Sequence, residues 1–199
     1  MSHSTPQRTT RQSRVTVAAG VIVGFVGLLY AVELLDTLLG HRLDGLGVRP
    51  RQEDGLDGIA FAPLLHLGWS HLVANTLPLL VFGFLILLAG MARWLAVTAV
   101  VWVVGGVGTW LTGQPGSVHI GASVLAFGWL VYLLLRGVFS RRVGQVLLGL
   151  LLLTVYGGVL FGVLPGQPGV SWQGHLFGAV GGGLAAWWWG VRDRPIRTP

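Results

Sequence analysis

Residues 68–80 read GWSHLVANTLPLL and head a run that stays apolar to Gly90. A stretch of about 20 apolar residues is what a helix needs to cross a ~30 Å hydrocarbon core. This one carries His71 and Asn75 at its head, four residues apart and therefore on one helix face. Polar side chains placed inside a membrane span are costly, and they mark function by default.

The rest of the chain has the same character. Of its 199 residues, 53% are hydrophobic and 10% charged, where a soluble domain carries about 25% charged residues. Six apolar spans are expected, at Val15–Leu39, Leu72–Gly90, Met91–Leu111, Val118–Leu135, Val143–Leu164 and Ser171–Trp189. Backbone polar groups have no water to bond in lipid, so these spans must be helices. The fold class is therefore an all-α polytopic membrane protein, a bundle of six transmembrane helices. Gly supplies 32 residues, about twice the ~7% average, and in a membrane it allows helices to approach closely. The domain reading is a flexible cytoplasmic tail over residues 1–14, a membrane domain over 15–191 and a short cytoplasmic tail over 192–199. The first span is longer than a signal-peptide core and has no convincing cleavage site, so it reads as retained.

Charge sets the orientation. The net charge is +6 and all 13 basic residues are Arg, but they flank apolar runs and form no basic face for nucleic acid. With the N-terminus inside, ten Arg lie on the cytoplasmic side and three (Arg42, Arg49, Arg51) outside, in a first loop that also holds Asp44, Glu53, Asp54 and Asp57. The positive-inside rule then puts both termini in the cytoplasm. The apolar half of that loop, DGIAFAPLLHLGWS, is expected to lie in the membrane interface. Cys is absent, which excludes disulfides and thiol chemistry.

Spans 2, 4 and 6 enter from the outer side. Ser123, about five residues into span 4, and His175, about four into span 6, are both expected on the order of 6–8 Å below the outer boundary. His71 and Asn75 sit at the start of span 2. A Ser hydroxyl becomes a nucleophile when an imidazole takes its proton, and the oxyanion that follows needs fixed donors, which His71 and Asn75 can supply. Each residue alone has an ordinary reading: Ser packing or back-bonded in a helix, Asn as interhelical glue, His at an interface. Gly174, Gly178 and Gly182 form a small-residue ridge that by itself speaks only of tight packing. It is the convergence at one depth that favours chemistry.

Other membrane chemistries fit less well. HLVAN lacks the Glu and the second His of a zinc-protease helix. Spans 2 to 6 contain no Asp or Glu for an aspartyl pair or for the third member of a triad. Glu33 and Asp36, at the outer end of span 1, read as interfacial. So do His66 and His119, which border the site without being metal ligands. No metal and no cofactor is implied.

The motifs HLVAN, GAS and GHLFGAVGGG, in that order on spans 2, 4 and 6, resemble those of the rhomboid intramembrane serine proteases over roughly Arg49 to Val191. The resemblance implies Ser123 as nucleophile and His175 as general base and acid. It implies an oxyanion hole from the Ser123 N–H with His71 and Asn75, and the Gly121 of the G-x-S motif as a supporting residue. It further implies Phe127 packing on His175, and a cap formed by the loop at about Pro165–Val170. The substrate it implies is a transmembrane segment of another membrane protein, cleaved near its outer end within the bilayer of a bacterial plasma membrane. The chain departs from the family pattern at Val124, where Gly is usual, and in the first-loop stretch VRPRQEDGLDG, which has Arg but no Trp. Two rival functions are an inactive rhomboid-like protein that binds membrane clients and a small transporter. A transporter would repeat half-helix breaks between its halves, and the sequence shows no such symmetry. Oligomeric state is not legible.

Overall fold

A computed structural model describes residues 6–194. Seven α-helices follow in order: α1 (Pro6–Leu38), α2 (Gly58–Phe61), α3 (Trp69–Leu87), α4 (Met91–Thr112), α5 (Ser123–Ser140), α6 (Val143–Tyr156) and α7 (Trp172–Arg192). Short 3₁₀ segments occupy the first loop, and one of seven residues, Gly157–Val163, follows α6. Among the described residues there is no strand, only a single antiparallel bridge between Val48 and His119. Helix α1 is formed from Pro6, ahead of the expected span start at Val15. Residues 1–5 and 195–199 of the two expected tails lie outside the described residues.

Among the described residues five stretches are long and apolar enough to cross a membrane: Gln12–Leu38, Trp69–Leu87, Met91–Thr112, Ser123–Ser140 and Val143–Val163. The chain is a multi-pass membrane protein. The sixth expected span forms α7, which has the length, 21 residues, but is not among the apolar five. Its position explains its composition. It packs mainly on α5 and α4 and buries Gln173, Gly174, Gly178, Gly181, Gly182, Ala185, Ala186 and Gly190. The face packed on α5 and α4 is built of small residues that allow close approach, while Val180, Leu184, Trp187 and Trp188 stay exposed on the other face. At Gly182 an added Cβ would collide with the backbone of Gly128 on α5, and at Gly181 with the backbone of Val101 on α4.

Helix α1 buries one stripe, Ala18, Ile22, Val26, Leu29, Glu33 and Asp36, at spacings of three or four, which is one face of a helix. It packs on α3, where Gly83 leaves room for Ile22 and Tyr30 Oη lies 3.0 Å from Thr76 Oγ1. Glu33 and Asp36, at the outer end of α1, are also turned onto the protein: they are 1% and 2% exposed and continue the buried stripe. The DGIAFAPLLHLGWS stretch also folds onto the protein. Ile59 O accepts from Trp102 Nε1 of α4 at 2.7 Å, and Ala62, Leu65, Val48 and Ile120 form a small second core.

The chain between α4 and α5 departs from expectation. Span 4 was expected from Val118, but α5 begins at Ser123. His119 exchanges both backbone hydrogen bonds with Val48, at 3.0 Å each, and Gly121 adopts φ +129° while donating its N–H to Ala62 O at 2.9 Å. This extended, tied-down approach delays the helix. It places Ser123 at the N-terminus of α5 rather than a turn inside it.

Candidate active site

Ser123 and His175 meet although they are 52 residues apart: Ser123 Oγ lies 2.9 Å from His175 Nε2. The other ring nitrogen, Nδ1, lies 2.9 Å from the carbonyl oxygen of Gly162. A carbonyl only accepts, so Nδ1 carries the hydrogen and Nε2 turns its lone pair to the serine hydroxyl. That is the tautomer a general base requires. Phe127, one turn further along α5, stacks on the His175 ring with centroids 4.0 Å apart and planes 9° from parallel. Ring stacking and the Gly162 bond together hold the imidazole in place.

Gly162 was not foreseen. The fifth span was expected to run as one helix to Leu164; instead the α-helix stops at Tyr156 and a 3₁₀ segment carries the chain to Val163. The glycines at 157, 158 and 162 were the available signal for this break. A Cβ at Gly162 would lie 2.8 Å from Phe127 Cζ and 3.1 Å from His175 Nδ1, so only glycine brings its carbonyl this close to the ring.

Helix α3 supplies the facing wall. Leu67 N–H donates to His71 Nδ1 at 3.4 Å, which leaves Nε2 as the donor. The His71 ring lies over Gly121: a Cβ there would be 2.6 Å from His71 Cε1, 3.0 Å from Nε2 and 3.5 Å from Ser123 Oγ. Gly121 therefore combines a backbone angle that side chains disfavour with a contact that leaves no space for one. Asn75 is buried and donates one amide hydrogen to His71 O at 3.1 Å; its amide nitrogen has a second hydrogen to offer. The Ser123 N–H lies in the first turn of α5, where backbone donors have no acceptor within the helix and the dipole favours negative charge. His71, Asn75, Ser123, Phe127 and His175 all line one cavity of about 580 Å³. Gly166, Gln167, Gly169 and Val170 of the expected cap close one side of it, with positive φ at Gly166 and Gly169.

The two bordering histidines, His66 and His119, make specific bonds within the protein. His66 is 1% exposed and its Nε2 accepts the Ala122 N–H at 3.3 Å. It fastens the residue before Ser123 to the first loop. Burial, with His71 beside it, pushes its pKa down to about 3. His119 is half-buried and bonds Ser171 Oγ, the N-cap of α7, at 2.7 Å and Ser117 Oγ at 2.8 Å. The approach to α5 is thereby linked to the start of α7, the helix that carries His175.

Val124 is accommodated by glycines on two other helices. Its side chain lies against Gly105 of α4 and Gly178 of α7, and a Cβ added at either would collide with Val124. The extra bulk of valine is matched by space opposite.

Comparison with known proteins identifies a family. Residues 55–192 match the model of the Rhomboid domain. An uncharacterized protein of Mycobacterium tuberculosis (strain H37Rv), Rv1337, is 52% identical over 199 residues, covering 96% of this chain and 83% of its own. ML1171 of Mycobacterium leprae (strain TN), also named as uncharacterized, is 52% identical over 198 residues, with 96% and 78% covered. A protein of Bacillus subtilis (strain 168) bearing the name "Putative rhomboid protease YdcA" is 32% identical over 123 residues, 61% of each chain. No solved structure matches significantly. The family match begins in the first loop and runs to the end of α7, taking in every element that contributes to the cavity, and the chain belongs to the rhomboid family.

Proposed function

We propose that this protein is an intramembrane serine endopeptidase that cleaves transmembrane segments of other membrane proteins by a Ser123–His175 dyad. Rhomboid domains are in general serine proteases of this kind, and membership supports that class. The observation that carries the finer reading is the 2.9 Å approach of Ser123 Oγ to an imidazole whose other nitrogen is held by the Gly162 carbonyl.

In this mechanism Ser123 Oγ attacks the scissile carbonyl while His175 Nε2 takes its proton. The oxyanion gathers hydrogen bonds from the Ser123 N–H, His71 Nε2–H and the Asn75 amide. His175 then returns the proton to the leaving amine, and an acyl-enzyme remains on Ser123. Water attacks that ester with His175 as base again, releasing the second product. The Gly162 carbonyl takes the orienting place that a carboxylate fills in a triad. An α-helical substrate hides its carbonyls in its own hydrogen bonds, so cleavable segments carry helix-breaking residues near the cut.

The setting we infer is a bacterial plasma membrane crossed six times, both termini cytoplasmic, with the site towards the outer face. The ten-to-three Arg distribution supports this orientation. A client-binding relative without activity would be favoured by a Val124 that distorts the site, but Gly105 and Gly178 leave room for that side chain.

The test is proteolysis of a tagged transmembrane substrate in reconstituted bilayers, with labelling by a fluorophosphonate probe. Ser123→Ala abolishes both while the protein still inserts and folds, and His175→Ala abolishes labelling. Cleavage by Ser123→Ala at the wild-type rate refutes the assignment.

A further inference from the structure

The buried stripe of α1 ends on two acids, Glu33 and Asp36, where apolar residues would complete it. The chain then reverses. Gly40 and His41 both adopt left-handed backbone, with φ of 67° and 60°, and His41 N–H returns to Asp36 O at 2.9 Å. This turn brings His41 and Asp44 back onto Asp36, and one potential ligand atom from each of the three lies within 4.8 Å of the others. Asp36 accepts the Leu43 N–H at 2.7 Å and lies 3.3 Å from His41 Nδ1.

Glu33, one turn earlier on the same face, is the independent observation. It is 1% exposed, and neither carboxylate oxygen has a hydrogen-bond partner among the described residues. It interacts electrostatically with Asp36, Asp44 and His41. Asp44 Oδ1 is also buried without a partner. No Arg among the described residues pairs with Glu33, Asp36 or Asp44; the Arg ion pairs are Arg49–Asp54 and Arg93–Asp193. Two carboxylates, Asp36 and Asp44, meet one imidazole, with Glu33 one turn behind on the same face. Clustered carboxylates of like sign are neutralised either by a shared proton or by a counter-charge, and the imidazole turned toward Asp36 adds a ligand that a cation, unlike a proton, would use.

We propose that Asp36, His41 and Asp44, with Glu33 behind them, form a divalent-cation site at the end of α1. Carboxylate oxygens with a single imidazole suit a hard to borderline ion of the calcium, magnesium or manganese type. The ion would clamp the beginning of the first loop to α1. That loop carries Val48, whose backbone pairs with His119 just before the Gly121–Ser123 segment, so the clamp steadies the loop on which the approach to α5 is fastened. The proposal does not depend on the protein being a protease.

Manganese binding to the full-length chain in detergent tests it, read from loss of the free-ion electron paramagnetic resonance signal. The expected result is one saturable site per chain, with Kd no weaker than about 10⁻³ M, the range of weak extracellular calcium modules. Asp36→Asn, which keeps an acceptor for Leu43 N–H, and Asp44→Asn each weaken it tenfold or more. Added manganese raises the Tm of the wild type and not of these variants, because an ion that binds only the folded state stabilises it. His41→Ala guards against misfolding of the Asp variants: its side chain is 54% exposed, and it too weakens binding. Absence of a saturable site in the wild type, or wild-type affinity in His41→Ala and both Asp variants, overturns the proposal.

Discussion

Asn75 bears two readings that one variant separates. As an oxyanion donor it acts mainly in the transition state, and losing such a donor costs roughly 10²–10³ in kcat. As a residue bonded to its own helix through His71 O, it contributes only packing and about 0.6 kcal/mol per intramembrane hydrogen bond. Asn75→Ala is expected to lower kcat with little change in KM or in the fraction folded; kinetics and thermal unfolding on one sample check this. A lowered Tm with unchanged kcat returns Asn75 to the structural reading. His66 makes a different prediction. Its pKa, near 6.5 for a free imidazole, is depressed to about 3 by burial. Between those values the unfolded chain binds a proton that the folded chain refuses, so stability falls as pH drops from about 6.5 towards 3, by up to roughly 1.4 kcal/mol per pH unit. His66→Gln keeps an acceptor for the Ala122 N–H and does not titrate. It is expected to flatten this acid limb in unfolding measured as a function of pH.

Helix contacts at the site are made by glycine against a larger partner, and the fit is specific to each pair. Gly105 of α4 and Gly178 of α7 face Val124 of α5. Gly105→Ala forces its new methyl onto Val124 Cγ2, and overpacking of this kind costs about 1–3 kcal/mol. Val124→Ala alone leaves a small void. Combined, the two changes compensate, with an expected coupling of about 0.5–3 kcal/mol in a double-mutant cycle of unfolding. Additive effects would show that Val124 and Gly105 do not bear on each other. Helix α5 shows why an element boundary can matter more than its length. Started at Val118, it would have buried Ser123 inside a turn; started at Ser123, it offers a first-turn N–H beside the hydroxyl.

At the scale of the molecule, one ion pair closes the bundle at the end away from the cavity. Arg93 of α4 forms a two-pronged salt bridge to Asp193 beyond α7, at 2.8 and 3.1 Å. Its guanidinium also lies 5.7 Å from the Trp189 ring centroid. The Arg93 hydrogen bonds hold the Asp193 carboxyl below its usual range. A lowered carboxylate pKa stabilises the fold above the unfolded value of about 3.9, and the contribution is lost as pH falls through the folded value. The groups are partly exposed, so Asp193→Asn is expected to cost about 0.2–1 kcal/mol near neutral pH. The expected outcome is a slightly lower Tm and unchanged activity per folded molecule, since the pair lies far from the cavity. Lost activity at full folding would mean that the α4–α7 junction controls the site.

Span positions, the helical class and the polar set His71, Asn75, Ser123 and His175 were legible in the sequence, because apolar run length and the rarity of polar residues in lipid are local properties of the chain. The fifth and sixth spans show the limit. Composition alone could not say which face of α7 would pack its glycines on α4 and α5, since that depends on where those helices lie. Nor could it show that glycines at 157 and 158 end α6 so that Gly162 can present a carbonyl to His175. The room made for Val124 and the burial of His66 and Glu33 likewise depend on partners tens of residues away. Periodicity tells which residues share a face; only tertiary packing decides what that face meets.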